Sequence, residues 1–375
     1  MSICYVCGNI LNEKNQTEEH IFLNAIGGNL KSKNLICREC NSSFGNDIDA
    51  ALAGQFNAIA NMFNIRRDRG VPQAFDAIDP LDGSIYSIEP GGKPRIKKPV
   101  IQKNANTCKI IVANKKQARE VLNGLKRQCP ALDVESVLSL ATVEMRYLDN
   151  ALNFKIHFGG SETFRSLCKT AVNFYLYKGG LQKNICHLIS YIKDGDESDS
   201  TVRYLYSDKI QIPTEQDEVL HSIIIKGDSK EKILFAYIEL FDFYKVVVML
   251  NDNYEDEPVD YSYFFDVIAH TEVSREYTLS FTKEDFQNVA RRDISPAYIN
   301  SKILPHLRMV VQKALEKQDD EHRHALLTRA LDKAIEKIDN RDLSQEEICN
   351  ICTQEIMNQI TPWIIHQLKN AGSPL

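Results

Sequence analysis

The sequence predicts an α+β protein, and three observations carry that prediction. Two Cys-x-x-Cys pairs, Cys4/Cys7 and Cys37/Cys40, lie near the start of the 375-residue chain. Between His221 and Ile268, four β-rich runs (His221 to Ile225, Ile233 to Leu240, Tyr244 to Leu250 and Tyr261 to Ile268) are separated by short turns, the signature of an antiparallel meander. After Ser301 the pattern changes to helical periodicity, with helices expected over Ile303 to Glu316, His322 to Ile338 and Ser344 to Leu368. The expected order is therefore a small cysteine-framed module, a larger mixed domain with an antiparallel sheet, and a helical C-terminal region.

The cysteines come first. A Cys-x-x-Cys pair closes a tight knuckle whose two sulfurs converge on one ion, and two such pairs suit a structural tetrahedral Zn²⁺ held by Cys4, Cys7, Cys37 and Cys40. The 29 residues from Gly8 to Ile36 exceed the usual ribbon spacing, so a hairpin is expected between the pairs. A disulfide framework fits less well, because the chain opens directly on the cysteine motif, with no leader segment expected, and a reducing cytoplasm is the expected location. The other cysteines are scattered, as core residues usually are. No apolar run reaches ~18 residues, so no membrane span is expected.

Beyond the cysteines, Ile48, Leu52, Phe56, Ile59 and Phe63 recur three or four apart, which predicts that the helix following Asn41 continues as a packed connector. Arg66, Arg67 and Arg69 close it, where cations suit a helix C-terminus and can also meet phosphate. Residues 70 to 99 are rich in Pro, Gly and Asp and read as a hairpin or linker. A strand is expected over Cys108 to Ala113, a helix over Lys115 to Gln128, an alternating strand over Leu152 to Phe158, and a helix over Thr163 to Tyr177 ended by Gly179-Gly180. Lys169, Asn173 and Lys178 on that helix could face a ligand, but a lone Lys on an amphipathic helix usually only borders its solvent face. The resulting division is 1–69 for the cysteine module with its connector, 70–107 for a basic linker region, 108–300 for an α+β recognition or regulatory domain, and 301–375 for the helical region.

Net charge is −6, but the average conceals a segregation. Gly91 to Gln128 carries a net +10 and contains Lys97, Lys98, Lys115 and Lys116, a candidate phosphate-contacting surface. Tyr191 to Asp260 carries a net −10. The two stretches can simply attract each other, which is the preferred reading, or the acidic one can occupy a nucleic-acid groove. The chain has no phosphate-loop motif, no dinucleotide fingerprint, no serine-elbow nucleophile and no internal repeat.

The run Cys4-Tyr5-Val6-Cys7-Gly8, then Thr17-Glu18-Glu19-His20-Ile21, then Gly27-Gly28, then Asn34-Leu35-Ile36-Cys37-Arg38-Glu39-Cys40-Asn41 resembles the HNH endonucleases that carry a four-cysteine zinc site. The resemblance covers about the first 50 residues. It implies a ββα-metal finger, a hairpin followed by a helix, gripping one catalytic Mg²⁺ or Mn²⁺. It also implies His20 as the general base, Glu19 and Asn41 as ligands of the catalytic ion, and Asn34 as the residue that orients the base. Two departures bear on strand geometry and metal affinity: Phe22-Leu23 stands where many relatives have a Pro, and Asn41 where many have a His. Asn46, Asp47 and Asp49, further along the helix, are alternative ligands to Asn41.

The expected function is metal-dependent hydrolysis of DNA, double-stranded by preference, with Arg66, Arg67, Lys97, Lys98, Lys115 and Lys116 as nucleic-acid contacts. By analogy with HNH proteins, the setting is prokaryotic defence or restriction, with a C-terminal domain that senses a small-molecule activator or a protein partner, and an oligomer is compatible with the helical region. The alternatives are a non-catalytic zinc-containing module that binds nucleic acid or protein, and a nuclease acting on RNA.

Overall fold

The computed structural model describes residues 2–104, 107–142, 146–148, 150–195, 201–288, 295–339 and 341–370. The protein is α+β, and its named strand pairs are antiparallel. It divides into two compact units, one made of residues 1–73 and 156–314, the other of residues 74–155 and 315–375. The boundaries expected at 69, 107 and 300 divide the chain serially, whereas each compact unit joins two separated stretches.

In the first unit, strands β1 (Glu19–His20) and β2 (Lys31–Ser32) pair with Glu19 opposite Ser32 and His20 opposite Lys31. Their connection needs its two glycines. Gly27 sits at φ +97°, where a side chain is strained, and a Cβ on Gly28 would fall 2.0 Å from the Phe22 carbonyl oxygen. Helix α1 (Arg38–Asn46) begins at the second cysteine knuckle, with Cys37 in extended conformation before its first turn. Helix α2 (Ile48–Met62) follows at once and buries Ile48, Leu52, Phe56 and Ile59. The continuous helix expected after Asn41 is thus broken at Asp47 (φ −117°, ψ −97°), where Gly45, Asn46 and Asp47 are weak helix formers and the Asp47 carboxylate is drawn 3.3 Å from Arg165.

The other half of this unit supplies helix α3 (Ser161–Tyr177) and a six-stranded sheet. Its strands are β3 (Val202–Tyr204), β4 (Leu220–Asp228), β5 (Ile233–Leu240), β6 (Tyr244–Asn251), β7 (Val259–Asp266) and β8 (Thr271–Val273), in the order β8-β7-β4-β5-β6-β3. The four expected runs correspond to β4 through β7. One face packs Ile224, Phe235, Tyr237, Val247 and Phe264 against Leu205, Leu279 and Phe286. The opposite face is the floor of the cysteine module: Phe22 stacks on His221 and Tyr263 at 5.4 and 6.1 Å, and Phe56 meets Phe241 and Tyr244 at 5.8 and 5.1 Å. With both faces covered, every residue of β5 is buried, so that Ile233 to Ile238 read as a continuous apolar run rather than an alternating one.

His221 ties the module to the sheet. Its Nδ1 accepts from the Phe241 amide at 3.2 Å, which leaves Nε2 protonated to donate to the Ile26 carbonyl at 2.9 Å. Burial pushes its pKa down to about 4. The ordinary value is 6.5, so between the two values the unfolded chain binds the extra proton and stability falls as pH drops from 6.5 toward 4, by roughly 3 kcal/mol in all. His221→Gln keeps one donor and one acceptor but cannot titrate. We expect its melting temperature to fall less than that of the wild type between pH 7 and pH 4.5. Parallel acid losses in the two proteins would contradict the assignment.

The second unit holds a three-stranded sheet (Phe75–Ile78, Ile85–Glu89, Lys93–Ile96), a hairpin (Val100–Lys103 with Cys108–Ile111) and two helices, Lys115–Lys126 and Val134–Ser139, joined through Ala118, Leu122, Val134 and Leu138. The strand expected over Leu152 to Phe158 is absent. Only Asn153 pairs, with Ile78, and the residues from Ile156 belong to the first unit. Helix α4 (Leu304–Ile338) replaces the two helices expected there and passes from the first unit into the second. No Gly or Pro interrupts Lys317 to Glu321, and Lys317 pairs with Glu321 one turn on. Helix α5 (Gln345–Asn370) ends the chain's described part. Of the six cysteines outside the pairs, expected in the core, only Cys168 is buried. No helix among the described residues is long and apolar enough to cross a membrane.

Candidate active site

The four sulfurs of Cys4, Cys7, Cys37 and Cys40 all lie within 4.8 Å of one another, the one grouping of its kind among the described residues. The knuckles are closed by backbone bonds: Gly8 N–H donates to the Cys4 carbonyl at 2.8 Å, and Asn41 N–H to the Cys37 carbonyl at 2.9 Å. Tetrahedral zinc with Zn–S bonds of ~2.3 Å places its sulfurs about 3.8 Å apart. Cys7 Sγ and Cys37 Sγ are 3.8 Å apart. Donor type, number and spacing therefore fit a structural zinc.

The knuckles frame β1, on which adjacent side chains point to opposite sides. Glu19 points inward and is 2% exposed, while His20 is half-buried. Both line a cavity of about 210 Å³ together with Asn41, Asp49 and Asn24. His20 also borders a second, larger cleft of about 650 Å³ whose wall includes Lys33, Arg38 and Arg69 together with Glu13, Glu18 and Asp68. One imidazole thus stands between a carboxylate-lined recess and a cleft of mixed charge.

His20 Nε2 lies 3.2 Å from Asp68 Oδ2, and Lys31 Nζ lies 2.5 Å from the same oxygen. An ionised carboxylate only accepts, so Nε2 carries the hydrogen and Nδ1 the lone pair. Burial lowers the imidazole below its usual range, against the opposite pull of Asp68, so that the neutral form prevails at neutral pH. These are the properties of a side chain ready to take a proton.

Glu19 is held from α3. Lys169 Nζ lies 2.7 Å from its Oε1, and Asn173 Nδ2 donates to the same oxygen at 2.9 Å. Burial pushes the Glu19 carboxyl up, against the downward pull of Lys169. Asn41, in the first turn of α1, donates through Nδ2 to Thr17 Oγ1 at 3.3 Å, which leaves its Oδ1 as an available oxygen ligand. Oxygen donors at one recess are what Mg²⁺ or Mn²⁺ accepts, and Glu19 and Asn41 fit that role. Asp49, an alternative ligand, has both oxygens engaged, Oδ1 by Ser166 Oγ at 2.8 Å and Oδ2 by Lys169 at 2.5 Å.

Other expected residues lie elsewhere. Asn34 is exposed, its backbone amide donates to Ser32 Oγ, and it lines neither cavity; the partner beside His20 is Asp68. Arg66 is exposed and Arg67 half-buried, with burial lowering the pKa of Arg67; neither borders the two cavities, whereas Arg69 does. Lys97, Lys98, Lys115 and Lys116 are exposed in the second unit, with Lys97 paired to Asp76 at 2.5 Å. Lys169, read as bordering a solvent face, is 2% exposed. Asp68 was hidden in the basic run Arg66-Arg67-Asp68-Arg69, and the legible sign of Lys169 and Asn173 was a pair of polar residues one turn apart in a mainly apolar helix.

The family model described as HNH endonuclease matches residues 4–57, which include the four cysteines, Glu19, His20, Asn34, Asn41 and Asp49. No curated protein and no solved structure matches the chain.

Proposed function

We propose that this protein is a metal-dependent endonuclease that hydrolyses DNA phosphodiester bonds, with double-stranded DNA as the preferred substrate. The observation that carries this reading is the shared recess: Glu19, His20 and Asn41, from a strand and a helix, line one cavity. His20 acts as general base, its Nδ1 taking a proton from the attacking water. Glu19 and Asn41 hold a Mg²⁺ or Mn²⁺ ion, which when bound supplies positive charge for the developing phosphorane and the leaving 3′ oxygen. Zn²⁺ at the four cysteines fixes the finger. Arg38, Arg69 and Lys33 in the wall of the larger cleft contribute charge for the phosphate backbone.

The large companion sheet suits recognition or control of cleavage by a partner or a small activator, as in restriction or defence, since a small finger has little specificity of its own. The reading is tested by incubating the protein with supercoiled plasmid, linear duplex and RNA in Mg²⁺ or Mn²⁺. Nicked or linear plasmid that disappears with chelator supports it. Retained binding of duplex without cleavage, under every metal tried, favours a non-catalytic zinc module instead.

Asp68 is the orienting partner of His20 in this reading. Asp68→Ala is expected to lower kcat about tenfold, a part of the 10²–10⁴ that a general base contributes, with KM little changed. Asp68→Asn, which keeps an oxygen acceptor, is expected to recover much of the loss. Equal activity in all three proteins would remove Asp68 from the mechanism.

A further inference from the structure

Helix α3 lies outside the stretch matched by the family model and is buried from Thr163 to Tyr175. Within that buried face, Lys169 and Asn173 stand one turn apart and are 2% and 0% exposed. Both reach the same atom. Lys169 Nζ lies 2.7 Å from Glu19 Oε1, and Asn173 Nδ2 donates to that oxygen at 2.9 Å. Asn173 is fixed in turn from the first cysteine knuckle, since the hydroxyl of Tyr5, between Cys4 and Cys7, donates to its Oδ1 at 2.9 Å.

The distribution of these bonds is uneven. Asp49 has both oxygens engaged, as a buried carboxylate serving only structure should. Glu19, more deeply buried, receives both donors on Oε1, and its Oε2 has no hydrogen-bond partner among the described residues. Glu19 nonetheless lines the cavity that Asn41 lines. Lys169 is shared by both carboxylates, at 2.7 Å from Glu19 and 2.5 Å from Asp49, so one cation faces two acids and the group keeps an excess negative charge at the recess when both are ionised.

We propose that Lys169 and Asn173 are positioning residues of the divalent-metal centre, holding Glu19 by Oε1 so that Oε2 faces the ion, and that α3 is therefore a working part of the nuclease site. The inference rests on the nuclease reading above, with Glu19 as a ligand. Outer partners of a metal ligand typically govern its affinity by about 10–100-fold.

The test uses the full chain with zinc bound and follows Mn²⁺ binding by electron paramagnetic resonance and calorimetry. Glu19→Gln keeps a carbonyl for the two donors but loses the charge, and is expected to abolish Mn²⁺ binding. Asn173→Ala is expected to raise the Mn²⁺ Kd about 10–100-fold with zinc content unchanged, and to lower the melting temperature because Tyr5 and Glu19 lose a buried partner. If Glu19→Gln loses the ion while Asn173→Ala binds it as tightly as wild type, the positioning role is wrong and the metal site stands. If Glu19→Gln binds Mn²⁺ like wild type, the ligand assignment beneath it is wrong. Should Asn173→Ala fail to fold, Tyr5→Phe decides: a Kd raised roughly threefold supports the role, and an unchanged Kd overturns it.

Discussion

Replacing His20 by alanine is expected to slow metal-dependent cleavage by about 10²–10⁴-fold while leaving duplex binding and zinc content intact. The side chain is half-buried at the border of both cavities and contributes nothing to the knuckles, so its removal should cost little stability. The pH profile should follow the same group. Because burial depresses the imidazole pKa, the base form persists through neutral pH, and the rate should begin to fall only below the ordinary value of 6.5. Gel-resolved cleavage rates from pH 5 to pH 8, in wild type and His20→Ala, measure both effects. A profile that breaks above 6.5, or a variant as fast as wild type, would assign the base elsewhere.

Loss of the zinc should be the largest structural effect. Cys37→Ser removes a buried sulfur from the group of four and places a poorer ligand where α1 begins. Structural zinc in small modules carries an apparent binding free energy of about 10–16 kcal/mol. The module here also rests on the sheet through Phe22 and Phe56, so part of its order should survive. Losing even ~4 kcal/mol would lower the melting temperature by about 8–16 °C for a unit of 150–250 residues. Metal analysis together with thermal denaturation gives the answer. A folded Cys37→Ser protein with one zinc per chain and an unchanged melting temperature would refute the four-cysteine site.

What was legible in the sequence was what is local. The knuckles, the Glu19-His20 dipeptide and the glycine turn each depend on residues close along the chain, and the meander announces itself through short turns between β-rich runs. The partners of the site were not legible because the tertiary fold delivers them. Asn173 reaches Glu19 from 154 residues away, and Lys169 lies one turn before it. Asp68 carries a local sign opposite to its surroundings, and a scan for basic runs absorbs it. The break at Asp47 has a local sign in Gly45-Asn46-Asp47 that the apolar spacing overrode, whereas the continuity of α4 through Lys317 to Glu321 reflects only the absence of a breaker, which apolar periodicity reads as a gap.

One divalent ion is expected between Glu19 and Asn41, beside His20, in a finger fixed by zinc. Anomalous diffraction from a crystal soaked in Mn²⁺, recorded at the manganese and zinc edges, tests it most directly. A zinc peak is expected among the four sulfurs, with a separate manganese peak bonded to the Glu19 and Asn41 side-chain oxygens. A manganese peak elsewhere, with those two side chains bonded only to Lys169, Asn173 and Thr17, would contradict it.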